Sequence, residues 1–133
     1  MSKSAIYTAN TGAQSVAIGG VISPGSTIRR YGQCVNLNGN GVNLTQPGYY
    51  LITATATATP TAIGSVGIAV QNNGVTIPGA TSTGSVSAVG NSATLSTTFI
   101  VRVPCCGNAV TITTILTGGA STVNNFALTA VKL

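Results

Sequence analysis

Residues 49–59 read YYLITATATAT and alternate with period two over the whole run. Successive side chains of a strand point to opposite faces. Tyr50, Ile52, Ala54, Ala56 and Ala58 therefore share one face, and Tyr49, Leu51, Thr53, Thr55, Thr57 and Thr59 share the other. Neither face carries a charge, and one is made of unusually small side chains. Such a strand is expected to be buried on both sides, one face on its own core and the other on a second subunit. Pro60 ends the run, since proline donates nothing to a ladder.

The same punctuation recurs along the chain. Ser65 to Gln71 leads into Asn72-Asn73-Gly74 and out through Val75-Thr76-Ile77, and an Asn-Gly pair between apolar runs is a strong hairpin signal. Pro78-Gly79 is expected to stop the return strand. Ala93 to Val103, with Leu95, Phe99, Val101 and Val103 on one face, and Ala109 to Leu116 form a further pair. Gly118-Gly119 makes the next turn, and Val123 to Leu133 reads as a last strand with Phe126, Leu128 and Ala130 inward. Ala5 to Ala9, Gln14 to Ile22 and Ser26 to Leu37 are earlier strands, and residues 36–43 are a turn-rich stretch. The spacing predicts an all-β sandwich or jelly roll of eight to ten short antiparallel strands, with no helix, no linker, and one domain over 1–133.

Composition then restricts function. The chain has no Asp, no Glu and no His; its ionisable cations are Lys3, Arg29, Arg30, Arg102 and Lys132, for a net charge of +5. General acid–base catalysis near neutrality needs a tunable carboxylate or imidazole, and a Ser or Thr nucleophile needs a base beside it. Hard cations need carboxylate oxygens, and catalytic zinc nearly always uses His. What is left is Cys34, Cys105, Cys106, four Tyr and two Lys, in surroundings that suggest no active site. The expectation is a non-enzyme without metal or cofactor. Mean hydropathy is high for a chain with so few charges, yet no apolar run reaches the ~18 residues that span a bilayer. Burial against copies of itself is the economical outlet for that apolar surplus, with no membrane partner.

From Gln46 onward the segments QPGYYLITATATAT, GSVGIAVQNNGVTIPG, ATLSTTFIVRV, AVTITTILTGG and FALTAVKL follow one another in an order that resembles the C-terminal domain of the BclA-type spore-surface glycoproteins. Gly48-Tyr49-Tyr50 matches that family's opening into an Ala/Thr strand. Ile68 to Gly79 matches its hairpin ending in Pro-Gly, with one residue more than the family pattern. The resemblance implies a tumour necrosis factor/complement-type jelly roll assembled as a homotrimer, its inner sheet packed around the three-fold axis. The interface would then include Tyr49, Leu51, Thr53, Thr55 and Thr57, with Arg102 bonding backbone carbonyls there. The family's collagen-like Gly-X-Y region and targeting segment are not seen before this domain. The chain is therefore expected to be made in the bacterial cytoplasm and built into a larger particle. A phage virion is the preferred particle, with the chain as a capsid decoration or fibre head bound to a capsid or other shell protein. A spore-coat or exosporium component is one alternative, and a glycan-binding adhesion or receptor-binding module is another.

Several features keep more than one reading. Cys34, Cys105 and Cys106 are either free thiols or include a pairing of Cys34 with one of the adjacent two, within or between subunits. A vicinal bond would be strained. Arg29-Arg30 point to opposite faces of a strand, and with no recognition helix and no basic–aromatic stripe no nucleic acid is expected. The surface reads as uniformly basic, suited to an anionic neighbour. Tyr31, Tyr49 and Tyr50 with nearby Asn residues leave a glycan site open. Asn43-Leu44-Thr45 has the pattern of a glycosylation sequon and is read as a turn.

Overall fold

The computed structural model describes residues 3–32, 34–104 and 110–133. Among the described residues there are eleven strands: β1 (Ala5–Asn10), β2 (Gln14–Val16), β3 (Ser26–Tyr31), β4 (Val35–Asn38), β5 (Gly41–Leu44), β6 (Gly48–Pro60), β7 (Gly64–Asn72), β8 (Val75–Val86), β9 (Ala93–Val103), β10 (Val110–Gly118) and β11 (Ser121–Lys132). There is no helix among the described residues. The first sheet has the order β3-β1-β11-β6-β9, with β2 also paired to β11; the second has the order β4-β5-β10-β7-β8. Every pairing is antiparallel.

The alternation of residues 49–59 becomes β6, next to the centre of the first sheet. Its Tyr50, Ile52, Ala54, Ala56 and Ala58 are completely buried. The alanines leave room that their neighbours fill. Phe126 and Leu128 of β11 lie opposite Ala56 and Ala54, and Leu95 of β9 lies opposite Ala56 from the other side. Val35, Val42, Leu44, Val66, Ile68, Val70, Ile112 and Leu116 close the core from the second sheet. Large against small across facing positions is how sheet cores reach crystal-like density.

The Asn-Gly signal holds in detail. Asn72 pairs with Val75, so Asn73 and Gly74 form a two-residue loop, both at positive φ as a type I′ turn requires. The Asn73 side chain accepts from the Thr111 N–H at 2.8 Å, and its own N–H donates to the Thr111 carbonyl at 3.0 Å, which pins the hairpin to β10.

Four expectations are corrected. Pro78-Gly79 does not stop the return strand: β8 continues to Val86, with a register shift between Ala69 and Gln71. It does so because β8 is an edge strand, where a missing N–H breaks no pairing. Residues 26–37 are two strands in different sheets, divided at Gly32. Its φ is +82°, and a Cβ there would collide with Ser4 Oγ and the Lys3 carbonyl. Residues 14–22 yield only the short β2 and a bridge between Val21 and Ile115. The turn-rich stretch 36–43 is itself a hairpin, β4–β5. The count therefore rises to eleven.

Two buried polar groups make stability predictions. Thr114 Oγ1 on β10 is buried and has no hydrogen-bond partner among the described residues. Thr114→Val keeps the shape and removes the stranded hydroxyl, so it should stabilise by about 1 kcal/mol. Thermal denaturation should show a rise of a few degrees; a lower midpoint would mean the hydroxyl is satisfied. Tyr50 donates to the Gln46 carbonyl at 2.7 Å. Burial first, then the neighbouring Cys34, raise its pKa above 10.0, while backbone hydrogen bonding at Gln46 offsets part of the rise. The unfolded chain then loses this proton before the folded one does. The stabilisation is complete below pH 10.0 and is lost as pH rises through the higher folded value.

Candidate self-assembly face

The side chains of β6 that turn away from the core fall on the open face of the first sheet. Register fixes their neighbours. On β9, Arg102 lies opposite Tyr49, Ile100 opposite Leu51, Thr98 opposite Thr53, Ser96 opposite Thr55 and Thr94 opposite Thr57. On β11, Val131, Thr129, Ala127 and Asn125 lie opposite Leu51, Thr53, Thr55 and Thr57. β1 extends the rows with Ala5, Tyr7 and Ala9, and β3 adds Tyr31 and Arg29. All six residues expected at an interface, Tyr49, Leu51, Thr53, Thr55, Thr57 and Arg102, thus stand together on one face.

The centre of that face is hydroxyls and methyls without a charge. Thr53 Oγ1 is 3.5 Å from Thr98 Oγ1, Thr59 Oγ1 is 2.8 Å from Ser92 Oγ, and Asn124 donates to Thr59 Oγ1 at 2.9 Å. Threonines that share hydrogen bonds along and across strands can be covered without stranding polar groups. Leu51, Thr53, Thr55 and Thr57 are half-buried by their neighbours alone, whereas Tyr49 and Ile100 stand 54 % and 56 % exposed. Two hollows flank the face. One, of ≈ 460 Å³, lies along the β8–β9 edge between Asn73, Ile77, Ile100 and Arg102. The other, of ≈ 200 Å³, lies over β1 and β3 between Tyr7, Arg29, Tyr31 and Thr129.

No protein-family model and no curated protein sequence matches the chain. Solved structures do. Murine APRIL at pH 5.0 superposes with a TM-score of 0.76 over 99 % of this chain and 100 % of that one, at 14 % identity. The globular domain of zebrafish complement 1qA gives 0.72 over 97 % and 95 %, at 9 % identity. The fold is the tumour necrosis factor/complement jelly roll. The PRD1 vertex protein P5 shares it as well, with a TM-score of 0.64 over 98 % and 96 % at 16 % identity. At such identities the likeness is one of backbone, so any role for the face has to come from its own residues.

Reasoning from sequence missed Ile100, Tyr7, Tyr31 and Val131 on this face of the jelly roll. The signal for Ile100 was present: with Phe99, Val101 and Val103 inward, Ile100 must point out. Tyr7 and Tyr31 join the face only through the pairing of β1 with β11 and β3, which no local pattern announces. The tyrosines weighed for a glycan do not converge. Tyr50 is buried, and Tyr31 and Tyr49 are separated by β1 and β11, about 14 Å at ordinary strand spacing. Cys34 is fully buried and has no disulfide partner among the described residues, and its backbone N–H donates to Ser4 Oγ at 3.1 Å. Cys105 and Cys106, its expected partners, lie outside the described residues.

Proposed function

We propose that this chain is a non-enzymatic structural protein that assembles as a homotrimer through the open face of its first sheet and sits on the surface of a particle. The observation that carries the reading is the uncharged centre of that face. Four strands, β1, β11, β6 and β9, of 6, 12, 13 and 11 residues at ~3.3 Å per residue and ~4.8 Å spacing, present roughly 650 Å² of mainly methyl and hydroxyl surface edged by Tyr7, Tyr49 and Ile100. In a ring each protomer meets two neighbours, so that area is on the scale of a specific interface. Small alanines and threonines let backbones approach closely, and the resemblance of residues 46–133 to spore-surface jelly rolls points to the same assembly.

The particle is a phage virion, with the chain as a capsid decoration or fibre head. The fold shared with a vertex protein supports this over nearly the full length of both chains. Gold-labelled antibody against the chain should decorate virions in electron micrographs. Label confined to spores would overturn the virion in favour of a spore coat or exosporium.

A trimer of this chain has no side-chain carboxylate to offer its own cations. Cohesion comes from packing and neutral hydrogen bonds, which neither salt nor mild acid weakens. The thermal midpoint should stay level between about pH 7 and pH 4, where ordinary proteins lose carboxylate pairs. It should decline only above pH 10.0, where Tyr50 sets the window. A steep fall on the acid side, or dissociation in molar salt, would contradict the account.

A further inference from the structure

The positive charge is not spread over the surface, as the sequence suggests; it is gathered at one end of the sandwich. Lys3 stands just before β1, and on β3 Arg30 and Arg29 pair with Ile6 and Tyr7 near the start of β1. Val131, opposite Ala5, precedes Lys132, which pairs with Tyr50, and Arg102 pairs with Tyr49 on the far side of β6. All five cations therefore lie within a few residues of the same strand ends. Local contacts position two of them there. Arg30 Nε donates to the Val35 carbonyl at 2.7 Å, tying β3 to β4, and the Lys132 side chain runs past Gly48, whose hypothetical Cβ would be 3.2 Å from Lys132 Cε. The opposite end is built from segments 11–13, 17–25, 61–63, 87–92 and 119–120, none of which contains an ionisable side chain.

We propose that this basic end is a docking face for an acidic protein surface, and that the neutral end points away from it. The partner is not another copy, because the chain has no acidic side chain to meet these cations. Nor is the patch dense enough for a polyphosphate. Duplex DNA carries a charge every ~1.7 Å, whereas here five cations span β3 to β9, about 19 Å at ordinary strand spacing. Tyr31 stands 59 % exposed beside Arg29 and Arg30 on β3, outside the four strands of the assembly face, and tyrosine with arginine is the composition of protein interfaces. Arginine also grips carboxylates through two parallel hydrogen bonds. Subunits related by a three-fold axis point the same way along it, so a trimer would present three basic ends on one side and gain avidity. The proposal names the partner chemistry of the particle-surface reading and rests on it for where that partner resides.

The test compares two variants of equal net charge. Lys3→Gln with Arg29→Gln lowers the charge from +5 to +3 at the basic end, at two exposed positions. Ala62→Glu with Asn91→Glu lowers it from +5 to +3 at the neutral end, also at exposed positions. Binding of the full chain to immobilised polyglutamate is measured at low and physiological salt, with oligothymidylate as the second probe. The wild type should bind polyglutamate in a salt-sensitive way. The basic-end variant should bind about ten-fold more weakly, and the neutral-end variant within about two-fold of wild type. Equal losses in both variants, no binding by the wild type, or tighter binding to oligothymidylate would each overturn the proposal. Light scattering on the same samples reads the trimer separately: a monomer that keeps the end-specific loss would support the docking face while refuting the trimer.

Discussion

Thr55→Glu is expected to break the assembly into single chains. Thr55 sits mid-row on the open face, with Ser96 on one side and Ala127 on the other. The cations that could answer a carboxylate there are at the far end of the strands. Arg102 is level with Tyr49, six residues and about 20 Å from Thr55 along β6. A carboxylate in a covered face without a partner costs several kcal/mol, and a trimer would carry it three times. The protomer should still fold, because Thr55 points away from the core. The expected result is a chain of monomer mass with its far-ultraviolet β signal intact, alongside a Thr55→Ser control that stays assembled. A Thr55→Glu protein with the mass and thermal midpoint of wild type would place the interface elsewhere.

Phe126→Ala is the largest loss expected from the core. Phe126 is 1 % exposed on β11, in a sheet where its opposite number on β6 is Ala56. Alanines at 54, 56 and 58 have no reach with which to fill the space left behind, and Leu95 is already packed against Ala56 from β9. The cost should sit toward the upper part of the range of about 3–5 kcal/mol for such truncations. Chemical denaturation should show a much lower midpoint with an unchanged slope. Subunit association adds to apparent stability by mass action, so the comparison has to be made at one protein concentration. A loss below about 1 kcal/mol would mean that the core closes up or that Phe126 is not tightly packed.

How far the sequence carried depends on the range of the interaction. The alternation of residues 49–59 was legible because strand geometry is strictly local, and both faces of β6 came out as the pattern requires. The Asn73-Gly74 turn was legible because only a few residue types accept its dihedrals. Pro78 misled because proline is a stop only where its N–H is needed; whether β8 lies at an edge is decided by the whole sheet order. Gly32 was unreadable as a break because its constraint comes from Ser4 and Lys3, nearly thirty residues earlier. The candidate face was half legible. Its β6 row came from periodicity, and Arg102 came from the parity of β9. Tyr7 and Tyr31 needed the long-range pairing of β1. The concentration of all five cations at one end was invisible for the same reason, since Lys3 and Lys132 are neighbours only because β1 pairs with β11. Net charge is a sum over residues, whereas polarity is a property of topology.

Everything proposed for the open face depends on its being covered by two further copies of the chain. Light scattering coupled to size-exclusion chromatography on the wild-type protein measures this without a label or a variant. The expected mass is about 39 kDa, three times the 13.1 kDa of the chain, unchanged by molar salt and at about pH 4. A stable species at 13.1 kDa would contradict the account, leaving Tyr49, Ile100 and the threonine rows exposed to water with nothing to cover them.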